Sequence, residues 1–394
     1  MYDLVLRNVR VEGNIVDIGI KNDRIIEVFP GISSPGVEEI EGRHHLAIPG
    51  FIDCHLHLDK SLIIERADYK DVSGPEKGAM TREQKSSFTK EDIRTRAEKI
   101  IRTGLLAGNL VIRTSVDVDP IVGLKGIEAL IELKAEYSDL LDIQIAAFAQ
   151  EGIEKYPETE KLLIKALEMG SDLIGGHTIV DPDGEAHIDK ILEIAEECGV
   201  EAEFHLDESG KREHFLLPYL AKEATRRGLC GRVTGIHCCT LSTLSADERK
   251  EALHLIADSL MKIIIAPTAI STRNLAPVKE LLAAGAIIGI GSDNTGDFFN
   301  PVGRGDIRQA ALLLAYVQRF FTSLEIRKLW EMITSTGADL LGCKEYGIRP
   351  GNRADITILN AFNPTEALYR QSLPNTFIRR GKDCTERILS FLPD

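Results

Sequence analysis

Histidines and carboxylates recur in this chain at the ends of short apolar segments, where they could bind a metal ion. His55 and His57 are separated by one residue, and side chains at positions i and i+2 of a strand point to the same face. His205 and Asp293 end two later apolar segments. Three imidazoles and one carboxylate can bind a divalent ion and leave one position open for water, as catalytic sites do. The pattern therefore predicts a catalytic metal centre with these four residues as ligands.

Two further side chains are placed to move protons. Glu208 follows His205 by three residues, so we expect its carboxylate above the ion, although its charged neighbours also fit a surface glutamate. His237 ends the sixth apolar segment and could orient the attacking water, although a buried structural histidine would show the same pattern. We predict catalytic roles for Glu208, His237 and Asp293. The pattern leaves open whether His177, at the end of the fourth segment, contacts a substrate.

The elements that position these residues alternate regularly along the chain. Apolar segments of strand length are separated by longer amphipathic stretches, among them 91–105, 188–198 and 246–258. This alternation indicates βαβ units around a parallel sheet. Eight units in about 250 residues match an α/β fold of the (β/α)8, TIM-like barrel type, in which catalytic groups lie where the strands end. A doubly wound sheet is the alternative that periodicity leaves open. The eight segments are 46–57, 110–119, 141–150, 172–179, 201–208, 232–238, 262–268 and 286–294.

Both ends of the chain read as short strands separated by turn residues. Strands are predicted at 4–11, 15–20 and 24–28, and again at 354–359 and 375–379. Neither end is long enough to bury a core alone, so we expect a small β-sandwich domain built from both termini. The predicted domains are 1–49 with 346–394, and a catalytic barrel over 50–345.

Composition excludes several classes of function. The 394 residues carry a net charge of −14, which argues against a nucleic-acid-binding surface. No apolar run reaches the roughly 20 residues of a membrane span. The seven cysteines are irregularly spaced without a C-x-x-C pair, so neither a disulfide framework nor a zinc knuckle is indicated. No G-x-S-x-G elbow or P-loop occurs. We expect a cytoplasmic protein.

Several segments carry a family resemblance. Residues 49–57 (Pro-Gly-Phe-Ile-Asp-Cys-His-Leu-His) resemble the first-strand motif of the amidohydrolase superfamily, and residues 348–355 resemble the return into its small β-domain. Within the superfamily the chain is most similar to the cytosine deaminase branch, from residue 2 to residue 385. The similarity extends to the N-isopropylammelide amidohydrolases. The matching segments are 58–60, 142–144, 148–152, 205–208 and 292–294.

The resemblance implies a role for each matching residue. It implies that Glu208 carries a proton to a ring nitrogen, that His237 assists at the attacking hydroxide, and that Gln150 reads the amide edge of the ring. The fourth strand end has no lysine that could bridge a second ion, so one divalent ion is expected, zinc or iron. The implied ligands of that ion are His55, His57, His205 and Asp293.

The departures from the family pattern concern the substrate. Asn294 stands where cytosine deaminases have a second aspartate, and Phe299 stands in place of a tryptophan. Ser115 replaces the histidine of an Arg-Thr-His motif. Lys60 is shared with the N-isopropylammelide amidohydrolases. An amide in place of an acceptor changes which ring tautomer is read, and a smaller aromatic widens the pocket. Gln150, Asn294, Phe299 and Lys60 are therefore the predicted substrate-binding residues.

The function that these observations favour is metal-dependent hydrolytic deamination of a small nitrogen heterocycle, cytosine deaminase-like, in which a metal-activated hydroxide attacks the amino-bearing carbon and ammonia leaves. One alternative is removal of an alkylamine from an s-triazine, and another is opening of a cyclic amide. A non-catalytic barrel is a third, disfavoured by the intact ligand set.

The expected partners follow from the same reading. We expect a small heterocyclic substrate, no nucleic acid, no membrane, and a homo-oligomer on the frequency of such assemblies. Residues 66–90 are rich in Lys, Glu, Ser and Gly and are predicted to form a mobile loop over the pocket.

Overall fold

Sixteen strands in two sheets form the framework of the protein in a computed structural model, which describes residues 1–66, 74–271 and 273–393. One sheet takes its strands from both ends of the chain, and the other takes them from the segment between. In chain order the strands are β1 (Tyr2–Val11), β2 (Asn14–Lys21), β3 (Arg24–Phe29), β4 (Gly36–Glu41), β5 (Leu46–Ile48), β6 (Phe51–Leu56), β7 (Asn109–Asp117), β8 (Asp142–Ala149), β9 (Leu173–His177), β10 (Glu201–Leu206), β11 (Val233–His237), β12 (Lys262–Ile265), β13 (Ile288–Ile290), β14 (Ile356–Leu359), β15 (Thr376–Arg379) and β16 (Lys382–Asp383).

Several of the helices begin at a residue whose side chain caps the first turn. The helix that follows Thr89 starts where this side chain accepts a hydrogen bond from the backbone N–H of Asp92, at 3.1 Å, and it ends at Gly108 in the left-handed conformation. The helices of the described residues are α1 (Gly74–Ser86), α2 (Lys90–Ala107), α3 (Lys125–Glu136), α4 (Glu158–Met169), α5 (Gly184–Cys198), α6 (Leu217–Arg226), α7 (Ala246–Asp258), α8 (Val278–Ala283), α9 (Ile307–Gln318), α10 (Ser323–Met332), α11 (Ser335–Leu340), α12 (Pro364–Arg370) and α13 (Thr385–Leu389).

The central segment forms the predicted TIM-like barrel. Strands β6 to β13 lie in chain order, each paired in parallel with the next. The ring closes through a parallel bridge between Leu56 and Asp293, where the Asp293 N–H donates to the carbonyl of His55 at 2.9 Å. Every residue of β6, β7 and β11 is buried, because helices cover the outside of the barrel and side chains fill its inside. The (β/α)8 expectation is confirmed, and the doubly wound sheet is excluded.

The second sheet joins the two ends of the chain. Strand β1 pairs antiparallel with β2 and parallel with β4 and β5, and β5 pairs antiparallel with β14. The order β16-β15-β14-β5-β1-β2-β3 is one hydrogen-bonded sheet that branches at β1, with a core cluster of its own. The expected β-domain of both termini is therefore present. The boundaries 1–49, 50–345 and 346–394 stay our assignment.

The local predictions need four corrections. The segment 46–57 is two strands rather than one: β5 belongs to the terminal sheet and β6 to the barrel. Gly50 turns the chain between them with φ +84°, a conformation that glycine adopts without steric cost. Strand β4 was missed because its three glutamates resemble a polar loop, and β16 was missed because it has only two residues. The mobile loop predicted at 66–90 is wrong over 74–86, which form α1, whereas residues 67–73 lie outside the described part.

None of the helices in the described ranges is long and apolar enough to span a lipid bilayer.

Candidate active site

The four predicted metal ligands converge at the carboxyl end of the barrel. His55 and His57 come from the end of β6, His205 from β10, and Asp293 from the residues after β13. All four are buried, with at most 6% of their surface exposed. The Nε2 atoms of His55 and His205 are 3.2 Å apart, and Asp293 Oδ1 lies 3.4 Å from His55 Nε2 and 3.5 Å from His57 Nε2. These four residues are called the metal-ligand cluster below.

The cluster has the dimensions and the protonation that a divalent ion requires. An ion about 2.0–2.1 Å from its ligands holds neighbouring ligand atoms about 2.9–3.5 Å apart, which matches these distances. Asp293 Oδ1 is buried and has no hydrogen-bond partner among the described residues. Burial lowers the pKa of His57 and of His205 well below the ordinary histidine value, so both imidazoles are neutral bases. The residues therefore fit one divalent ion.

Three polar residues at the carboxyl ends of barrel strands have strained backbone. Asp207, His237 and Asp293 adopt left-handed conformations, with φ of 53°, 74° and 60°. Such conformations cost about 1–3 kcal/mol each for residues other than glycine and persist only where the surroundings hold them. Asp53 supplies such a restraint: its carboxylate accepts the Ser292 N–H at 3.0 Å and the Ser292 hydroxyl, directly before Asp293. Burial raises the pKa of Asp53 to about 6, and the hydrogen bonds from Ser292 act in the opposite direction.

Glu208 lies beside the metal-ligand cluster. Its Oε2 is 3.6 Å from His205 Nδ1 and 3.0 Å from His177 Nε2, and its Oε1 accepts from Arg273. Burial opposes ionisation of this carboxyl, but its interactions with His237, His177 and Arg273 favour the carboxylate more strongly, so its pKa lies well below the ordinary value. The expectation of a carboxylate above the ligands agrees with this position, and the alternative of a surface glutamate does not.

His237 completes a second group of ligand-type atoms. It ends β11 and lies with His55 and Asp293 in a set of nitrogen and oxygen atoms within 4.8 Å of one another. Burial lowers its pKa to about 4, so the ring is neutral. Its Nδ1 has no hydrogen-bond partner among the described residues. The ring can therefore accept a proton from a nucleophile bound next to Asp293.

A chain of polar contacts connects the predicted substrate residues to Glu208. Lys60 Nζ donates to Gln150 Oε1 at 3.2 Å, and Gln150 Nε2 lies 2.9 Å from His177 Nδ1. Because the amide nitrogen can only donate, His177 Nδ1 accepts and His177 Nε2 carries the hydrogen that faces Glu208. We call Lys60, Gln150, His177 and Glu208 the recognition chain. His177, left open from the sequence, is thus placed between a predicted substrate reader and a predicted proton carrier.

The opposite wall of the pocket comes from the segment after β13. The Asn294 amide donates to Asp297, whose carboxylate also accepts the Phe299 N–H at 2.9 Å. Burial raises the pKa of Asp297 to about 6. All predicted substrate-binding residues line one cavity of about 80 Å³, and its apolar lining consists of Ala269 and Phe299. The lining residues are His57, Lys60, Gln150, His177, His205, Glu208, Thr268, Ala269, Arg273, Asp293, Asn294, Phe299 and Asn300.

The sequence interpretation missed two charged groups of this region. Arg273 follows β12 in an irregular segment, where no periodicity marks it as a pocket residue. Lys85 of α1 is buried, and its ammonium lies 2.8 Å from Asp117, 2.5 Å from Asp119 and 3.1 Å from Glu151. Burial tends to lower the pKa of Lys85, but these carboxylates raise it above the ordinary lysine value. In the sequence, the polar residues at the ends of the second and third apolar segments were the signal that could have indicated a buried cation here.

Comparison with known proteins places the chain in a family. It is 35% identical to the N-isopropylammelide isopropyl amidohydrolase of Pseudomonas sp. strain ADP, over 97% of this chain and 96% of that protein. The structure of N-isopropylammelide isopropylaminohydrolase from Burkholderia multivorans superposes with a TM-score of 0.90 at 28% identity, covering 97% and 98% of the two chains. The 5-methylcytosine deaminase of Klebsiella pneumoniae, bound to phosphonocytosine, also gives 0.90 at 28% identity, covering 96% and 97%. Residues 39–372 match the amidohydrolase family model, and the chain therefore belongs to this family of hydrolases acting on C–N bonds.

Proposed function

We propose that the protein removes an exocyclic amino group from a small nitrogen heterocycle by hydrolysis, with one divalent ion, zinc or iron, at the metal-ligand cluster. The observation that carries the proposal is the position of Glu208, whose carboxylate lies 3.6 Å from the ring of His205. A proton carrier beside the ligands and a neutral His237 next to Asp293 are what hydrolysis of a ring C–N bond needs.

The four ligands and two proton carriers have distinct tasks in this proposal. A divalent ion bound by the cluster would lower the pKa of a coordinated water and so make a nucleophile available near neutral pH. Asp293 and His237 take a proton from the nucleophile as it attacks the amino-bearing carbon. Glu208, which starts as a carboxylate, receives a proton from the attacking water and delivers it to the adjacent ring nitrogen. The proton that Asp293 and His237 take goes to the amine as it leaves. The net reaction consumes one water, forms a ring carbonyl and releases ammonia.

Substrate orientation in this proposal depends on the polar walls of the cavity. Gln150 presents both a donor and an acceptor and reads the amide edge of the ring once its contacts to Lys60 and His177 are exchanged for contacts to the substrate. Asn294 faces the ring from the opposite wall, and Phe299 supplies an apolar surface. Because two apolar residues line the cavity, a compact polar ring fits better than a ring with a large apolar substituent.

A second candidate is release of an alkylamine from an s-triazine. Asn294 favours it, because the chain departs there from the cytosine deaminase pattern, and Lys60 favours it, because the N-isopropylammelide amidohydrolases share this lysine. The 35% identity to an N-isopropylammelide isopropyl amidohydrolase supports it as well. The two candidates share the ion, the proton carriers and the attacked carbon, and they differ in the amine that leaves.

Product analysis distinguishes the two candidates. The protein loaded with zinc or iron is incubated with cytosine, 5-methylcytosine, isocytosine, creatinine, ammelide and N-alkylated ammelides, and both ammonia and alkylamine are measured. Ammonia from one unsubstituted ring supports the leading proposal. Alkylamine from the alkylated rings alone would move the function to the second candidate, and a ring-opened product without any amine would contradict both.

A further inference from the structure

Ser115 lies directly behind both histidines of the first barrel strand. Its backbone carbonyl is 3.2 Å from His57 Nδ1, and its hydroxyl is 3.2 Å from His55 Nδ1. The hydroxyl also donates to Glu203 Oε1 at 2.5 Å, and both Ser115 and Glu203 are fully buried. One residue of β7 therefore contacts the outer nitrogen of two predicted metal ligands, and a carboxylate of β10 contacts that residue.

The positions of the hydrogens in this group determine which nitrogen of each imidazole is unprotonated and can bind the ion. A backbone carbonyl only accepts, so the hydrogen of His57 is on Nδ1 and its Nε2 is a bare base. Glu203 forms an ion pair with the guanidinium of Arg113, with 3.7 Å between Oε2 and Nη1. A carboxylate has no hydrogen to donate, so the Ser115 hydroxyl hydrogen points to Glu203. The serine oxygen must then accept from His55 Nδ1, which leaves His55 Nε2 free for the ion.

The two histidines consequently depend on different groups. His57 is oriented by main chain, which a side-chain substitution does not remove. His55 is oriented by a hydroxyl that is free to rotate unless Glu203 holds its hydrogen. A serine released from Glu203 could donate to His55 Nδ1, and the ring hydrogen would then move to Nε2, where it blocks coordination.

We propose that Ser115 and Glu203 are positioning residues that select the metal-binding tautomer of His55. The inference rests on the metal centre of the proposed function, and it concerns how strongly that centre binds the ion rather than which substrate is used. Partners of this type commonly change metal affinity by about 10–100-fold when removed.

The test compares Glu203→Gln with Ser115→Ala. The glutamine keeps the shape of Glu203, but its amide can donate to the serine oxygen and free the hydroxyl hydrogen for His55. We expect zinc affinity, measured by competition with a chromogenic chelator, to fall about 10–100-fold in each variant. The double variant should bind no more weakly than Ser115→Ala, because without the hydroxyl Glu203 no longer acts on His55. In the metal-free protein, ¹⁵N-histidine NMR should show the His55 hydrogen moving from Nδ1 to Nε2 in Glu203→Gln.

Thr234→Val is the matched control. Thr234 lies opposite Glu203 on β11, is fully buried, and its hydroxyl has no hydrogen-bond partner among the described residues. This variant alters the barrel interior at the same level and should bind zinc as the unaltered protein does. Thermal unfolding of the metal-free proteins checks that each variant is folded.

The possible results separate this inference from the proposed function. Unchanged zinc affinity in folded Glu203→Gln and Ser115→Ala, or additive losses in the double variant, would overturn the positioning role and leave the proposed function intact. If the unaltered protein binds neither zinc nor iron at stoichiometric amounts, both the metal centre and this inference are overturned.

Discussion

The metal-ligand cluster and the recognition chain lie at the same cavity, but main-chain contacts help to hold the cluster, whereas side chains hold the recognition chain together. In the cluster, His57 contacts a main-chain carbonyl, and the N–H of Asp293 donates to main chain of the neighbouring strand. In the recognition chain, Lys60, Gln150 and His177 contact one another through side chains. Main-chain contacts within a barrel have little freedom, whereas a chain of side chains can exchange partners with a ligand. The comparison indicates a rigid metal side and an adaptable substrate side.

The largest expected effect comes from removing the ion. Dialysis against a chelator should abolish turnover, because without an ion no group of the cluster makes water nucleophilic at neutral pH. Addition of zinc or iron should restore turnover, and a metal titration with activity as readout measures it. If elemental analysis finds no metal in protein that is fully active, the assignment of a catalytic ion to the metal-ligand cluster is wrong.

The next effect in size is that of Glu208→Gln. The amide cannot carry the proton, so we expect kcat to fall about 10²–10⁴-fold. Bound metal should stay at the unaltered level, since Glu208 belongs to the recognition chain and not to the cluster. Glu213→Gln, which changes an exposed carboxylate in the same loop, is the matched control. Loss of the ion in Glu208→Gln would show that the two sides are not separate.

Gln150→Leu should produce a smaller and more selective effect. It removes the amide that we assign to reading the ring, so kcat/KM should fall about 10–100-fold, equivalent to about 1–3 kcal/mol of hydrogen bonding. Metal content should not change. Steady-state kinetics on two rings that differ at the amide edge tests the assignment. An equal loss for both rings would argue against a reading role.

Ser245→Ala should have the smallest effect and lies outside both sides of the pocket. Ser245 caps α7 in a reciprocal pair with Glu248, and such caps contribute about 1 kcal/mol to stability. We expect the free energy of unfolding in a denaturant titration to fall by about that amount, with kcat and metal content unchanged. A change in kcat or in metal content would mean that the pocket responds to distant changes in stability. The two sides of the pocket could then not be compared by single substitutions.

Much of the architecture follows from local patterns in the chain. The alternation of apolar segments and amphipathic stretches predicted the barrel, and the fit was closest at α7 (246–258). It failed where neighbouring segments had similar composition. Residues 46–57 form one apolar run, but they divide between two sheets at Gly50, because pairing with β1 and β14 competes with pairing to β7.

The site divides in the same way between what the chain encodes locally and what the tertiary structure adds. His55, His57, His205 and Asp293 could be named from the sequence, because metal ligands must have particular side chains and a parallel barrel brings its strand ends together. Arg273, Lys85 and the pair of Ser115 with Glu203 could not be assigned in this way. Their roles depend on contacts between residues up to 88 positions apart, with orientations that one-dimensional periodicity does not contain. Residue types and strand phase thus determined which groups could do the chemistry, and only packing across the barrel decided which groups hold them in place.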